Sequence, residues 1–267
     1  RSRIGEERFR REHECEFLIF DETLINSINL ADMEGVPPVE VTGQVRWFKR
    51  PTPGNTYLTS LDPAMGTGGD YAAIQVFELP SFEQVAEWHH NTTPMNQQVR
   101  ILQQINKHIH DAIMEKDTTA SPQIFYSMEN NSIGEAALLR VMDIGEENIQ
   151  GMFLSEPIRK GHRRKFRRGF NTTAKHKIDA CTKFKELVEN GKMKINSQLL
   201  ISELKDFVAS GMSYKAKPGQ HDDLVSSCLL MTRMMKVLAD FDPKIFEKWT
   251  DRTSELKPMP VFGSFYG

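Results

Sequence analysis

Carboxylates stand at three points of this chain where the neighbouring residues would hold them still. Asp62 closes the apolar run Tyr57-Leu58-Thr59-Ser60-Leu61, and Glu129 closes Ile124-Phe125-Tyr126-Ser127-Met128. Asp222 and Asp223 open a long helical pattern. Ionised carboxylates held close together are costly unless a cation compensates them. Magnesium takes hard oxygen ligands of this kind, and two such ions assist both the attacking and the leaving oxygen of an in-line displacement. Phosphodiester hydrolysis is the chemistry that fits. Each residue alone has an ordinary use: Asp62-Pro63 as a turn, Glu129-Asn130-Asn131 as an exposed strand end, Asp222 or Asp223 as a helix cap. Their joint placement is what points to a site. Helical geometry groups Asp222 with Val225 and Leu229, facing a sheet, and Asp223 with Ser226 and Ser227, nearer the edge. Asp222 is therefore the first ligand candidate of the pair and Asp223 the secondary one. Asp70 is a weaker metal candidate, and His221 could orient a phosphate or a water.

Strands are expected at residues 57–62 and 71–79, joined by a wide turn rich in glycine, with a third at 84–89. A helix follows, with Thr93 as its N-cap and Pro94 in its first position. Leu102, Ile105, Ile109, Ala112 and Ile113 give it one buried face. Then come a strand at 123–129, a helix at 132–142, a short strand at 152–154, and helices at 173–189 and 197–209. Gly191 sits where the first of these two helices would be capped. An extended piece at 212–216 leads to a last helix at 220–239, whose Leu224, Cys228, Met231, Met235 and Leu238 form a packed stripe. This order predicts an α/β domain with a central mixed sheet of five strands or more, flanked by helices. In its RNase H-like version, the first and fourth strands are parallel neighbours, so Asp62 meets Glu129 and the last helix brings Asp222. Residues 57–240 read as this domain. Residues 1–56, broken by Pro37-Pro38 and by Pro51, Pro53 and Gly54, read as a leading segment. Residues 241–267 read as a tail, whose end from Lys257 to Gly267 is rich in Pro, Phe and Gly. The opening without an initiator methionine reads as part of a longer protein.

The formal net charge of −2 over 267 residues excludes a uniformly basic nucleic-acid binder, so attraction to phosphates must come from a local patch. One segment supplies it. Arg159, Lys160, Arg163, Arg164, Lys165, Arg167 and Arg168 crowd together, with His162 and Phe166 between them. Contacts of this kind read the backbone rather than the bases, which predicts little sequence specificity. Lys175 and Lys177 are lesser candidates for the scissile phosphate. Three scattered cysteines, Cys15, Cys181 and Cys228, suggest neither a disulfide framework nor a zinc site. No apolar stretch is long enough to span a membrane.

The strand ending in Asp62, with the turn Gly66-Thr67-Gly68-Gly69-Asp70-Tyr71, resembles the nuclease domain of the large terminase subunit of tailed bacteriophages. So does Gly219-Gln220-His221-Asp222-Asp223-Leu224-Val225. The stretch Phe9-Arg10-Arg11-Glu12-His13-Glu14-Cys15-Glu16-Phe17, with Thr23-Leu24-Ile25, is similar to the stretch between that family's motor and nuclease domains. The resemblance spans residues 8–240. It implies an RNase H-like fold and an endonuclease that cuts concatemeric double-stranded viral DNA during packaging. Asp62, Glu129 and Asp222 would be its catalytic ligands for one or two Mg²⁺ or Mn²⁺ ions. It further implies partners (the terminase ATPase domain, the portal and the small terminase subunit, besides DNA). The implied location is the cytoplasm of the infected host, at the procapsid motor and not in the mature virion. The sequence has no G-x-x-x-x-G-K-[ST] loop, so no ATPase activity is expected of it. Two alternatives remain open at this point: another RNase H-like nuclease of the resolvase or transposase type, and a docking domain for the portal and motor.

Overall fold

The computed structural model describes residues 22–157 and 168–241. Its centre is the hairpin of β3 (Thr56–Asp62) and β4 (Ala72–Leu79), two strands with buried interiors. Strands apolar on both faces need cover on both sides, and each face here has it. β4 pairs with β5 (Glu83–His90), and β5 pairs with the short β2 (Val45–Trp47), itself paired with β1 (Glu40–Thr42). On the other flank, β3 runs parallel to β6 (Gln123–Met128), and β6 runs parallel to β7 (Met152–Phe153). The result is a seven-stranded mixed sheet in the order β1-β2-β5-β4-β3-β6-β7.

Residue alternation along the strands separates two cores. Tyr57, Leu61, Ile74 and Val76 pack with α2 (Met95–Lys116) and α3 (Gly134–Ile144). Leu58, Ala73 and Phe77 pack on the opposite face. There they meet α4 (Ala174–Glu189), α5 (Gln198–Asp206) and α6 (Asp223–Phe241). The short α1 (Ser27–Asp32) joins the second core through Leu30, and Leu24 and Ile25 just before it join the same core. A small hairpin, β8 (Phe207–Ser210) and β9 (Ser213–Ala216), lies between α5 and α6.

Several expectations shift. Residues 22–56, read as a leading segment, supply α1 and two strands of the main sheet; three-residue strands gain their order from pairing, not from local pattern. The helix expected at 197–209 ends at Asp206, because Phe207 turns into β8 and its carbonyl accepts the Leu24 N–H at 3.0 Å. Pro94, not Thr93, occupies the cap position of α2, and the Thr93 hydroxyl bonds His90 Nδ1 at 2.7 Å instead. Gly191, at φ +64°, follows α4 as expected. The 1–21 stretch and the tail beyond 241 lie outside the described residues. Among the described residues, no helix is long and apolar enough to cross a membrane.

Candidate active site

The parallel register of β3 and β6 pairs Leu61 with Met128, and the ladder continues as the Glu129 N–H donates to the Leu61 carbonyl at 3.1 Å. Asp62 and Glu129 therefore leave two adjacent strands at the same end. The period of two puts Asp62 on the face of Ser60 and Leu58, and Glu129 on the face of Ser127 and Phe125. Both faces look toward α4 and α6. A sharp turn holds Glu129 in place. The Asn131 side-chain oxygen accepts the Ile133 and Gly134 N–H groups at 3.1 and 2.8 Å, and its amide donates to Glu129 Oε2 at 3.3 Å. Gly134 has to be glycine here, since a Cβ would lie 1.8 Å from the Glu129 carbonyl oxygen.

The last helix is stitched to β3 by serines. Ser60 Oγ donates to the Ser227 carbonyl at 2.8 Å and lies 2.9 Å from Ser227 Oγ, which donates to the Ser60 carbonyl at 3.0 Å. Both residues are fully buried. Two small side chains let helix and strand approach closely, and the start of α6 is thereby brought to the acidic strand ends.

Burial and the Glu129 carboxylate beside it push the Asp62 carboxyl well above the usual range, and the two side chains share a hydrogen bond. Asp223 and then Asp222 add to that repulsion. Asp223 itself is raised to about 6, chiefly by desolvation and then by Asp222, against the Tyr71 N–H that donates to it. The structure thus brings together Asp62, Glu129, Asp222 and Asp223. Of the last two, Asp223 is the more buried, where helical periodicity had turned Asp222 toward the sheet. Asp223 is 15% exposed and Asp222 27%, and Ser227, a turn after Asp223, is the residue seated on the sheet. The physical reason is that α6 begins at Asp223, so Asp222 flanks the helix and does not belong to the stripe that periodicity assigned it. Its carboxylate accepts the Ala216 N–H at 3.3 Å and lies 3.8 Å from Lys177 Nζ.

A cleft of about 180 Å³ opens beside this cluster, lined by Asp62, Glu129, Thr172, Lys177, Ser226 and Arg233 among others. Lys177, a lesser candidate in the sequence, is in the cleft. Asp70 is exposed and acts on Asp223 rather than on Asp62. His221 is exposed too, 3.7 Å from Asp223 and edge-on to the Tyr71 ring. Of the basic segment, residues 159–167 lie outside the described residues. Arg168 is described; it pairs with Glu146 and covers the Phe153 ring, so its charge is already engaged.

Among the described residues, no three His, Cys, Asp or Glu side chains already form a closed metal cage. The donor set nonetheless suits a hard divalent ion. It consists of carboxylate oxygens, and the crowding of Glu129, Asp222 and Asp223 around the buried Asp62 carboxyl is a repulsion that a cation would relieve.

Two residues behind the Asp222–Asp223 pair carried no sequence signal. Glu203 of α5 reads as one more surface charge in Ser202-Glu203-Leu204-Lys205, yet desolvation raises it to about 9. Its burial exists only once α5 packs against α6. His89, lowered to about 4 by burial and by Arg46, stacks on Tyr71 at 4.1 Å. Arg233 did leave a trace, as a lone cation among Met231, Met234 and Met235. Its guanidinium pairs with Glu156, and it donates to the Thr172 hydroxyl at 2.9 Å and to the Asn171 carbonyl at 3.0 Å.

The sequence matches the terminase RNaseH-like domain over residues 59–234, which is well over half of the chain. The protein belongs to the terminase RNaseH-like domain family. Solved relatives share the fold. The magnesium-bound large terminase nuclease of thermophilic phage G20c aligns with 80% of this chain and 97% of its own, at 17% identity and a TM-score of 0.58. The large terminase nuclease domain of Thermus phage P74-26 aligns over 76% and 91%, at 18% identity and a TM-score of 0.53. The manganese-soaked, inhibitor-bound terminase nuclease domain of human cytomegalovirus aligns over 79% and 94%, at 13% identity and a TM-score of 0.51. The RNase H-like architecture and the family expected from the sequence motifs are both present.

Proposed function

We propose that this terminase domain is a metal-dependent endonuclease that cleaves concatemeric double-stranded viral DNA during genome packaging. The observation that carries the reading is the meeting of Asp62 and Glu129 at adjacent parallel strand ends, opposite the Asp222–Asp223 pair. Asp62, Glu129 and Asp222 would hold one or two Mg²⁺ or Mn²⁺ ions, with Asp223 beside them and Asp70 in a weaker role. The relatives solved with magnesium and after manganese soaking support that choice of ion. When bound, such ions supply Lewis-acid stabilisation of the attacking and leaving oxygens in an in-line phosphodiester displacement.

The chain's own groups do the rest. The carboxylates supply the donor oxygens, and the Asn131 turn and the Ser60–Ser227 contact hold the segments that carry them. Lys177, at the cleft wall, offers a positive charge to the phosphate. Arg233 holds Asn171 and Thr172 at the cleft mouth, next to the Glu129 turn, where the Asn130 N–H donates to the Phe170 carbonyl at 2.7 Å. The basic segment Arg159, Lys160, Arg163, Arg164, Lys165, Arg167 and Arg168 would grip the duplex backbone, which accounts for weak sequence preference. Its setting would be the host cytoplasm, with the ATPase domain, the portal and the small terminase subunit as partners.

Circular plasmid incubated with the purified chain in Mg²⁺ or Mn²⁺, beside EDTA and Asp62→Ala controls, tests this. Nicking and linearisation that vanish in both controls are expected. Preference for branched over linear duplex would instead favour a resolvase-type enzyme. A folded chain with no cleavage under any metal would favour a docking role.

A further inference from the structure

We infer that Glu203 is a positioning residue for the acidic pair on α6, an inference that deepens the nuclease reading and rests on it. Helix starts leave their first N–H groups without intrahelical partners. At the start of α6 two of these are met from another helix. Glu203 Oε2 accepts the Val225 N–H at 3.1 Å, and the Leu224 N–H donates to the same side chain. Asp222 and Asp223 immediately precede these two amides. Fixing the amides therefore fixes the backbone from which both carboxylates project.

The far side of Glu203 is held as well. Its Oε1 lies 3.7 Å from His89 Nε2, a buried atom without a hydrogen-bond partner among the described residues. The His89 ring stacks on Tyr71, and the Tyr71 N–H donates to Asp223. The pair on α6 is thus braced from two directions. Glu203 braces it through the helix amides, and Tyr71 braces Asp223 directly from the hairpin side. Glu203 is only 11% exposed and does not line the cleft, so its effect is exerted through Asp222 and Asp223 and not by touching the substrate.

Three variants of the full chain separate this role from simple helix capping. Glu203→Gln keeps an acceptor oxygen at the same reach, Glu203→Asp withdraws it, and Glu203→Ala removes it. Mn²⁺ affinity is measured by calorimetry, plasmid cleavage gives kcat and KM for DNA, and hydrogen exchange follows the amides of residues 224 and 225. Glu203→Ala and Glu203→Asp are expected to weaken Mn²⁺ binding about 10–100-fold, as loss of a group orienting a ligand does. They lower kcat at fixed metal and leave KM for DNA unchanged, while Glu203→Gln retains most of the wild-type behaviour. Wild-type Mn²⁺ affinity and kcat in a folded Glu203→Asp or Glu203→Ala protein would overturn the inference. So would equal damage in Glu203→Gln, because the acceptor would then not be the reason. If the wild type neither binds Mn²⁺ nor cleaves DNA, the nuclease reading fails, and with it any role for Glu203 in catalysis. The exchange data show separately whether the amide clasp exists: unchanged protection of residues 224 and 225 in Glu203→Ala overturns that contact too.

Discussion

Replacing Ser227 with valine should cost activity out of proportion to stability. Ser227 Oγ lies 2.9 Å from Ser60 Oγ, a distance that only hydrogen-bonding atoms tolerate. A methyl group there needs about 3.5 Å, so α6 must back away from β3 by about 0.6 Å or the side chain must leave its preferred rotamer. Overpacking of this kind costs about 1–3 kcal/mol, and the lost Ser227 donation to the Ser60 carbonyl adds about 1 kcal/mol. The expected destabilisation is therefore about 2–4 kcal/mol, measured by urea unfolding. The catalytic effect is larger in proportion, because Asp222 and Asp223 ride on the displaced helix start. Active-site groups must be held within about 0.5 Å, and misplacement near 1 Å costs on the order of 100-fold in rate. Ser227→Ala removes one hydroxyl without adding bulk; it should lose about 1 kcal/mol and keep its rate within a few-fold. Single-turnover plasmid cleavage at saturating Mn²⁺ compares the two. A folded Ser227→Val protein that cuts as fast as Ser227→Ala would refute the argument that the serine stitch sets the position of the acidic pair.

Other outcomes follow from the same geometry. Asp62→Asn should abolish cleavage yet leave the metal-free protein at least as resistant to heat, since a repelled carboxyl is removed; a clear drop in Tm in EDTA would contradict the clustering. Glu203 keeps its proton to about pH 9 when folded, against 4.5 ordinarily, so the folded state holds more protons in that window and stability falls as pH rises through it. The slope is about 1.4 kcal/mol per pH unit for one group; urea midpoints in EDTA at pH 6 to 8 should show a shallower slope in Glu203→Gln, and identical slopes would sink the assignment. Gly134→Ala should unfold the Glu129 turn or shift it, lowering both Tm and metal affinity, because the Cβ cannot share space with the Glu129 carbonyl. Lys177→Ala should weaken DNA cleavage more than metal binding, read as a raised KM or lowered kcat with Mn²⁺ affinity retained.

What the sequence reveals here follows the range of the forces involved. Asp62 and Glu129 end strands whose alternation is local, so their type, strand end and face are readable from six or seven residues each. Which of Asp222 and Asp223 is the more buried is not, because it depends on where α6 starts, and Asp222 lies just outside that helix. Glu203 looks like a solvated charge until α5 meets α6. β1 and β2 are too short for any periodicity, and Val41 within β1 and Val39 just before it remain exposed. Phe207 continues the apolar spacing of α5, so pattern alone extends the helix; the carbonyl bonded to Leu24 is what draws it into a strand.

Ser60 and Ser227 lie 167 residues apart in the chain, and β3 cannot join β6 until α2 has crossed over between them. The acidic groups are therefore assembled in time as well as in space. A chain still emerging from the ribosome has Asp62 early and Glu129 later, and the Asp222–Asp223 pair arrives only as the last helix docks. A copy whose last described helix has not yet docked therefore holds only part of this acidic cluster.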